Sequence, residues 1–329
     1  MLASSTFFKI FPPPRFLLMP HAGLDISDDA ITCISYAGPA HHKRITAYGS
    51  VELPKGLIDG GDVKDEKDLI SCLAAFAKEH SLTYVKVSIP EEKAYLFSTD
   101  VASAPFDEIE QNIEFKLEEN VPLSATDALF YFDLIPYTVK SGSLRASVSV
   151  VPQSYIERYI SIIRSAGLIP AAFEVVPKSI ARAVTPPHSA PETKLIVHVM
   201  NNKTGLYIVS GSVIDFASTV AVAGASDAQA LPEAIATLTK EIDRVHSYWT
   251  SHGNGEPIKE VILVGRNAPA FEPACEHVKN EATFGAKVAD VWSSAFNIDR
   301  YLPPISKEAS LGYAVAAGLA LDPSAGDCA

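Results

Sequence analysis

Two stretches of this chain share one layout, and that layout limits the folds open to it. In the first, an apolar strand leads to Asp25, a short polar turn follows, and a second strand runs over residues 30–36. The second stretch has a strand over 194–199 with His198 in place of the acid, then a polar turn and a return strand over 205–210. Strands that flank a short polar turn are typical of β-hairpins. Because a third strand follows each hairpin, the sequence predicts two related antiparallel meanders, one in each half.

Length and composition indicate a globular protein of two domains. The chain has 329 residues, of which 47% are apolar and 20% are charged, and a chain of this length rarely folds around one core. The formal net charge is -12, so the surface as a whole repels nucleic-acid phosphates and anionic lipid headgroups. We therefore predict neither a nucleic-acid partner nor direct binding to lipid.

Two features bear on where the protein resides: its cysteines and its first 21 residues. The four cysteines lie far apart and form no C-x-x-C pair, which indicates neither a disulfide framework nor a zinc site and is typical of a reducing cytoplasm. They are Cys33, Cys72, Cys275 and Cys328. Residues 1–21 are apolar but are interrupted by prolines and Arg15, which is too broken for a transmembrane helix. We predict an N-terminal arm that packs on the body, with a membrane-touching or partner-binding arm as the alternative.

The boundary between the halves falls in a rigid, polar stretch. Residues 185–191 are rich in proline, which is typical of a linker, so we predict a first half over 22–190 and a second half over 191–329. In the second half, helical spacing of apolar residues predicts a long helix near 231–251. Small residues over 311–321 predict a helix that can approach a sheet closely.

Several short motifs occur in a specific order and spacing along most of the chain. They are Gly-Leu-Asp-Ile at 23–26 and the segments 53–60, 87–91, 113–122, 166–170, 241–244 and 247–249. In these motifs the chain resembles the PilM family, the actin-like inner-membrane accessory proteins of type IV pilus machines, which are related to the cell-division protein FtsA. The resemblance implies an α/β protein with the duplicated, ribonuclease H-like fold of actin-like ATPases. It also implies a small inserted subdomain of the FtsA type.

The same resemblance implies a domain arrangement and a partner. It places the inserted subdomain at about 55–148 and a second-half subdomain at about 226–285. In the PilM family, the insertion and the groove beside it receive the cytoplasmic N-terminal peptide of a single-pass membrane protein of the PilN type. The chain is then expected to be cytoplasmic and peripheral to the inner membrane through that partner, without transmembrane insertion, and linked to pilus motor and platform proteins. Four aromatic residues are candidates for the groove or for the core: Phe97, Phe130, Tyr131 and Phe132.

A nucleotide site is also implied by the resemblance, and five residues are candidates for it. Actin-like ATPases hold the phosphates between two hairpin loops, with an acid for hydrated magnesium and glycines, hydroxyls and a lysine as donors. Asp25 keeps the acid, Ser27 stands where the family has glycine, Lys203 and Thr204 can donate to a phosphate, and Gly265 belongs to the adenosine loop. We predict that these five are the vestige of a cofactor site.

Other positions depart from what a nucleotide needs. Asp28 and Asp29 replace hydroxyls, His198 replaces the second acid, Met200 replaces a glycine, and Arg266 falls where the base would lie. A carboxylate about 4 Å from a phosphate costs about 4 kcal/mol at an effective dielectric near 20, which outweighs several hydrogen bonds of about 1 kcal/mol each. We therefore expect no catalytic residues, no metal site and no cofactor, with ATP and magnesium bound only if the pocket functions.

These observations favour a non-catalytic scaffold of a type IV pilus or related assembly machine, which binds the N-terminal peptide of a PilN-like protein. Two alternatives stay open. One is a nucleotide-binding, actin-like ATPase that acts as a switch, and the other is an FtsA-like filament protein of cell division. The sequence leans away from an enzyme without deciding the question.

Overall fold

The computed structural model describes residues 21–38, 43–140, 143–186, 192–211, 213–221, 231–252, 256–265, 271–281 and 285–321. The strands are β1 (Ala22–Ile26), β2 (Ala30–Ala37), β3 (Arg44–Glu52), β4 (Ile58–Asp59), β5 (Asp62–Val63), β6 (Tyr84–Ile89), β7 (Tyr95–Ala102), β8 (Ala128–Lys140), β9 (Ser143–Pro152), β10 (Ile169–Val175), β11 (Thr193–Val199), β12 (Lys203–Ser210), β13 (Val213–Ala221), β14 (Glu260–Gly265) and β15 (Gly285–Val288). The helices are α1 (Glu66–Glu79), α2 (Phe106–Asn120), α3 (Gln153–Ser165), α4 (Val176–Val184), α5 (Leu231–His252), α6 (Phe271–Glu281), α7 (Lys307–Ser310) and α8 (Ala314–Ala320).

The two halves contain five-stranded sheets of the same design. The first sheet has the order β10-β6-β1-β2-β3 and the second has the order β13-β12-β11-β14-β15. In each, an antiparallel meander is extended by two parallel strands on the other side of its first strand. The central strands are apolar and buried along their length, as expected where helices cover a sheet on both faces. The predicted duplication of the meander is therefore confirmed.

The insertion is a third sheet that is shorter than the sequence indicated. Strands β7, β9 and β8 pair antiparallel in that order, and α2 covers one face with Ile109, Ile113 and Leu117. The predicted range of 55–148 also included β4, β5, α1 and β6. In the structure these elements belong to the first half, because β6 pairs in parallel with β1 and α1 packs into the core around β1. The separate sheet thus begins at β7 and ends with β9.

The predicted second-half subdomain at about 226–285 spans α5, β14 and α6 in the structure. Strand β14 falls in this range, yet it pairs with both β11 and β15 inside the main sheet. The helix predicted near 231–251 is present as α5, and α6 packs beside it. Within the described part of this range, therefore, the chain adds no separate sheet.

Helices α4 and α8 form the junction between the halves. Helix α8 ends the described chain but packs on β1, β2 and β6 of the first half, as well as on α4. Gly318 permits this approach, because a Cβ atom there would lie 1.7 Å from the carbonyl oxygen of Ser179 on α4. Gly23 on β1 does the same, since its Cβ would lie 1.9 Å from the carbonyl oxygen of Ala316. The predicted close packing of small residues is confirmed, although residues 311–313 form a 3-10 turn.

The insertion also contacts the second half and α4. The Ser98 hydroxyl donates to the carbonyl oxygen of Asp215 on β13 (3.0 Å). Lys178 on α4 forms an ion pair with Asp133 on β8 (2.6 Å), and both side chains are mostly buried. The Ser147 hydroxyl on β9 donates to the carbonyl oxygen of Ile214, the residue before Asp215 on β13. The insertion therefore contacts both halves of the molecule through hydrogen bonds and an ion pair.

Some predictions concern residues outside the described part of the chain. These are the arm at 1–21 except His21, most of the linker at 185–191, and Arg266. Among the described helices, none combines the length and the apolar character that crossing a membrane requires.

Candidate functional site

The two hairpin turns of the repeated meanders face each other across a cleft between the halves. The amide and hydroxyl of Ser27 both donate to the carbonyl oxygen of Ala30 (3.0 Å each), which closes the β1–β2 turn. The Met200 amide donates to the carbonyl oxygen of Lys203 (3.0 Å) and closes the β11–β12 turn. The start of α4, the 3-10 turn and the first residues of α8 complete the walls.

A hydrogen bond and an ion pair between side chains join the two turns directly. The Asn201 side-chain amide donates to Asp29 Oδ2 (2.9 Å), and Lys203 Nζ lies 3.1 Å from Asp28 Oδ2. Lys203 also binds Glu92, in the segment that leads into the insertion. Burial by itself lowers the pKa of Lys203, but the hydrogen bond to Glu92 and the charges of Glu92 and Asp28 outweigh it and raise the pKa above its ordinary value. Lys203 thus stays charged and joins three parts of the molecule.

A buried polar cluster lies beside these contacts between the turns. The Tyr207 hydroxyl on β12 donates to Glu91 Oε1 (2.7 Å), and Thr219 on β13 donates to the same oxygen (3.3 Å). His198 Nδ1 lies 3.4 Å from the Tyr207 hydroxyl. Burial, followed by the charge of Glu91, raises the pKa of Tyr207 well above its ordinary value, so the phenol remains protonated and donating. His198, which stands where a magnesium acid was expected, is therefore next to a phenol and a carboxylate.

The structure brings three of the five predicted cofactor-binding residues to the cleft. Asp25, Ser27 and Lys203 line it, and Asp25 is only 8% exposed at the end of β1. Thr204 is buried inside β12 with 1% exposure. Gly265 ends β14, where a Cβ would lie 2.1 Å from a carbonyl oxygen of β11. The last two residues do not belong to the lining of the cleft as the structure describes it.

The cavity between the two turns is small, and donors in its lining bind the chain's own carboxylates. The cavity between the turns measures about 100 Å³, whereas pockets for small-molecule ligands measure roughly 300 to 1,000 Å³. Two donors that could face a phosphate, Lys203 and Asn201, are engaged by Asp28 and Asp29. Within the described ranges, no group of three His, Cys, Asp or Glu side chains is placed to hold a metal ion.

Several residues at the cleft were not predicted from the sequence. Pro90, Glu91 and Glu92 look like an ordinary turn between strands, and nothing local shows that the two acids reach β12. Gly60 and Gly61 also contribute, because their amides donate to Asp28 (3.2 and 2.9 Å). The Gly-Gly pair is a hairpin signal, but its contact with a turn 32 residues earlier is not local.

The four aromatic candidates for a groove divide into core and surface. Phe132 is buried under α2, and Phe97 and Phe130 pack against the same cluster. Tyr131 is 54% exposed and Leu129 beside it is 44% exposed. Lys178 Nζ lies 4.2 Å from the centre of the Tyr131 ring, so this face of β8 is directed toward α4. Within residues 128–135 of β8, whose side chains the structure describes, Tyr131 and Leu129 are the exposed large apolar residues.

Two sheets of this order, with facing hairpins and a cleft between them, define the actin-like ATPase fold, and the predicted fold class is confirmed. The chain is similar to a chain in the structure of the PilM-PilN type IV pilus biogenesis complex, with a TM-score of 0.78 and 18% identity over 92% of this chain and 98% of that one. It is also similar to the ethanolamine utilization protein EutJ from Carboxydothermus hydrogenoformans, with a TM-score of 0.50 and 13% identity over 94% and 90% of the two chains. No family model and no curated protein sequence matches the chain.

Proposed function

We propose that the protein is an adaptor of a type IV pilus or related assembly machine. In this proposal it binds the cytoplasmic N-terminal peptide of a PilN-like membrane protein and thereby sits at the inner membrane. The observation that carries the proposal is the likeness in fold to a chain of the PilM-PilN complex, which extends over 92% of this chain and 98% of the other. Contacts with motor and platform proteins remain a prediction.

The insertion offers a surface that suits an extended peptide. Strand β8 is an edge strand of its sheet, and an edge can pair with an added strand whose side chains enter neighbouring pockets. Tyr131 and Leu129 supply apolar contacts on the face toward α4. The net charge of -12 favours a peptide with a free amine or basic side chains. We therefore assign peptide capture to the sheet edge formed by β8, next to Tyr131 and Leu129.

The cleft supports the non-catalytic form of the proposal. Its donors are engaged by the chain's own carboxylates and its volume is below that of ordinary ligand pockets. On this account the halves do not need a nucleotide to hold their relative position, and the adaptor works as a fixed shape rather than as an ATPase. The switch and filament alternatives remain predictions, which nucleotide binding and light scattering would test.

A peptide titration tests the adaptor function. A labelled synthetic peptide with the cytoplasmic N-terminal residues of the PilN-like protein from the same genome should bind saturably, as measured by fluorescence anisotropy. Replacing Tyr131 by alanine should weaken binding by roughly 30-fold, because an interface aromatic of this kind contributes about 2 kcal/mol. Leu129→Ser should act in the same direction.

The matched control is Phe115→Ala. Phe115 is 82% exposed on α2, which covers the opposite face of the insertion's sheet from Tyr131. The Phe115→Ala variant should therefore bind the peptide as wild type does. Because Tyr131 contacts Lys178, the unfolding midpoints of all variants are compared first. Absence of saturable binding to wild type, or equal losses for Phe115→Ala and Tyr131→Ala, would refute the proposal.

A further inference from the structure

The Asp28 carboxylate accepts hydrogen bonds from three donors. Oδ1 accepts from the Gly61 amide (2.9 Å), and Oδ2 accepts from the Gly60 amide (3.2 Å) and from Lys203 Nζ (3.1 Å). The two amides belong to the β4–β5 turn and the lysine belongs to the second half. One carboxylate therefore joins three turns that are distant in sequence.

The shape of the β4–β5 turn explains why its amides converge. Gly60 and Gly61 have φ values of 54° and 76°, a left-handed conformation that glycine adopts without strain. Two successive residues of this kind direct both N–H groups toward one side, which creates a concave anion site. The hydroxyls of Tyr155 and Tyr159 donate to the Gly61 carbonyl (3.2 and 3.3 Å) and hold the turn in place.

The set of donors matches what proteins use to bind free oxyanions. Two backbone amides and an ammonium group are the donors of phosphate and carboxylate sites. Here the anion is supplied by the chain. Lys203 also contacts Glu92, so the same ammonium group links the cradle to the segment that leads into the insertion.

We infer that Gly60, Gly61 and Lys203 form an oxyanion-binding cradle whose ligand is the chain's own Asp28. The carboxylate stands in for a small free oxyanion and fixes two turns of the first half against the second half. Removal of the carboxylate leaves the donors in place with space between them. A small oxyanion such as formate then occupies that space and restores the arrangement.

Chemical rescue of Asp28→Ala tests this inference. The substitution removes a fragment of the size of formate, and the unfolding midpoint should fall by roughly 5 °C. Sodium formate should then raise the midpoint of the variant saturably, beyond the rise given by sodium chloride at the same ionic strength. Wild type should show no formate-specific rise, because its cradle is filled.

Three further variants make the result specific. Asp62→Ala removes an acid at the other end of the same turn, which pairs with Lys93 at the surface (2.8 Å), and should show no formate-specific rise. Lys203→Gln in the Asp28→Ala background should abolish the rescue. Asp28→Asn retains the shape of the side chain, so it should fold with a lower midpoint and gain nothing from formate.

The inference fails if Asp28→Ala is as stable as wild type, or if formate and chloride raise its midpoint equally. It also fails if Asp62→Ala is rescued to the same extent, since the effect would then be general. If Asp28→Ala does not fold, Asp28→Asn decides the question. The inference is overturned if formate specifically raises the unfolding midpoint of Asp28→Asn, or if that midpoint equals the wild-type value. The peptide titration uses wild-type protein with a filled cradle, so its result stands apart from this one.

Discussion

Replacement of Arg182 by alanine is expected to lower the free energy of unfolding by about 3 to 5 kcal/mol, because it leaves a buried carboxylate without its cation. The guanidinium of Arg182 on α4 contacts both carboxylate oxygens of Glu174 (2.7 and 2.6 Å). Its Nη1 also donates to the Gly318 carbonyl on α8 (3.0 Å). Both side chains are largely buried, with exposures of 8% and 19%. Urea unfolding followed by circular dichroism measures the loss.

Two further variants, Lys64→Ala and a double variant, serve as controls for this prediction. Lys64→Ala breaks an exposed ion pair with Asp59 (3.8 Å) and should change stability by less than about 1 kcal/mol. The double variant Arg182→Ala with Glu174→Ala should be more stable than Arg182→Ala alone, since the stranded charge is gone. A loss below about 1 kcal/mol for Arg182→Ala would contradict the assigned role of this pair at the junction.

Replacement of Gly318 by alanine is expected to destabilise the protein by about 1 to 2 kcal/mol net, although the same change in an open helix would stabilise it. Alanine is favoured over glycine in helices by about 1 kcal/mol. At Gly318, however, the added Cβ would lie 1.7 Å from the carbonyl oxygen and 2.5 Å from the carbonyl carbon of Ser179. Helices α4 and α8 would have to separate, and overpacking of this kind typically costs about 1 to 3 kcal/mol. Chemical unfolding again measures the change.

Gly285→Ala is the matched control, because a Cβ at Gly285 would meet no atom within 4 Å. Its free energy of unfolding should stay within about 0.5 kcal/mol of wild type. Increased stability of Gly318→Ala would mean that the two helices are not in the close contact described here.

The meanders could be predicted because the signals that make them are local. Alternating and apolar residues around short polar turns specify a hairpin within about ten residues, and both hairpins form where expected, around Asp25 and His198. The start of the insertion could not be found this way. It depends on β6 pairing with β1, and Gly23 opposite Lys86 is a contact between residues distant in the chain.

The residues of the cleft could likewise be predicted only where the signal was local. Asp25, Ser27 and Lys203 reach the cleft because each lies on one of the two hairpins. The partners that decide what the cleft can bind come from elsewhere: Lys203 meets Asp28 across 175 residues and Glu92 across 111 residues. The sequence showed that carboxylates occupy the first turn. It could not show that those carboxylates bind the donors of the second.

These contacts are the physical basis for our proposal that the adaptor works without a nucleotide. In an actin-like ATPase the phosphates bridge the two hairpin turns. In this protein, Asp29 with Asn201 and Asp28 with Lys203 make that bridge (2.9 and 3.1 Å). We propose that these contacts hold the halves in position without a nucleotide. Lys203 also contacts Glu92, in the segment that leads into the insertion.

The central claim is that the cleft is held by the chain's own side chains and does not bind a nucleotide. Thermal unfolding of purified protein with millimolar Mg-ATP, against magnesium chloride at equal ionic strength, tests it most directly. A ligand at about a hundred times its dissociation constant adds about 2.7 kcal/mol to the folded state, which corresponds to a rise of roughly 5 to 10 °C in the midpoint. The account predicts no ATP-specific shift, and a rise of that size would contradict it.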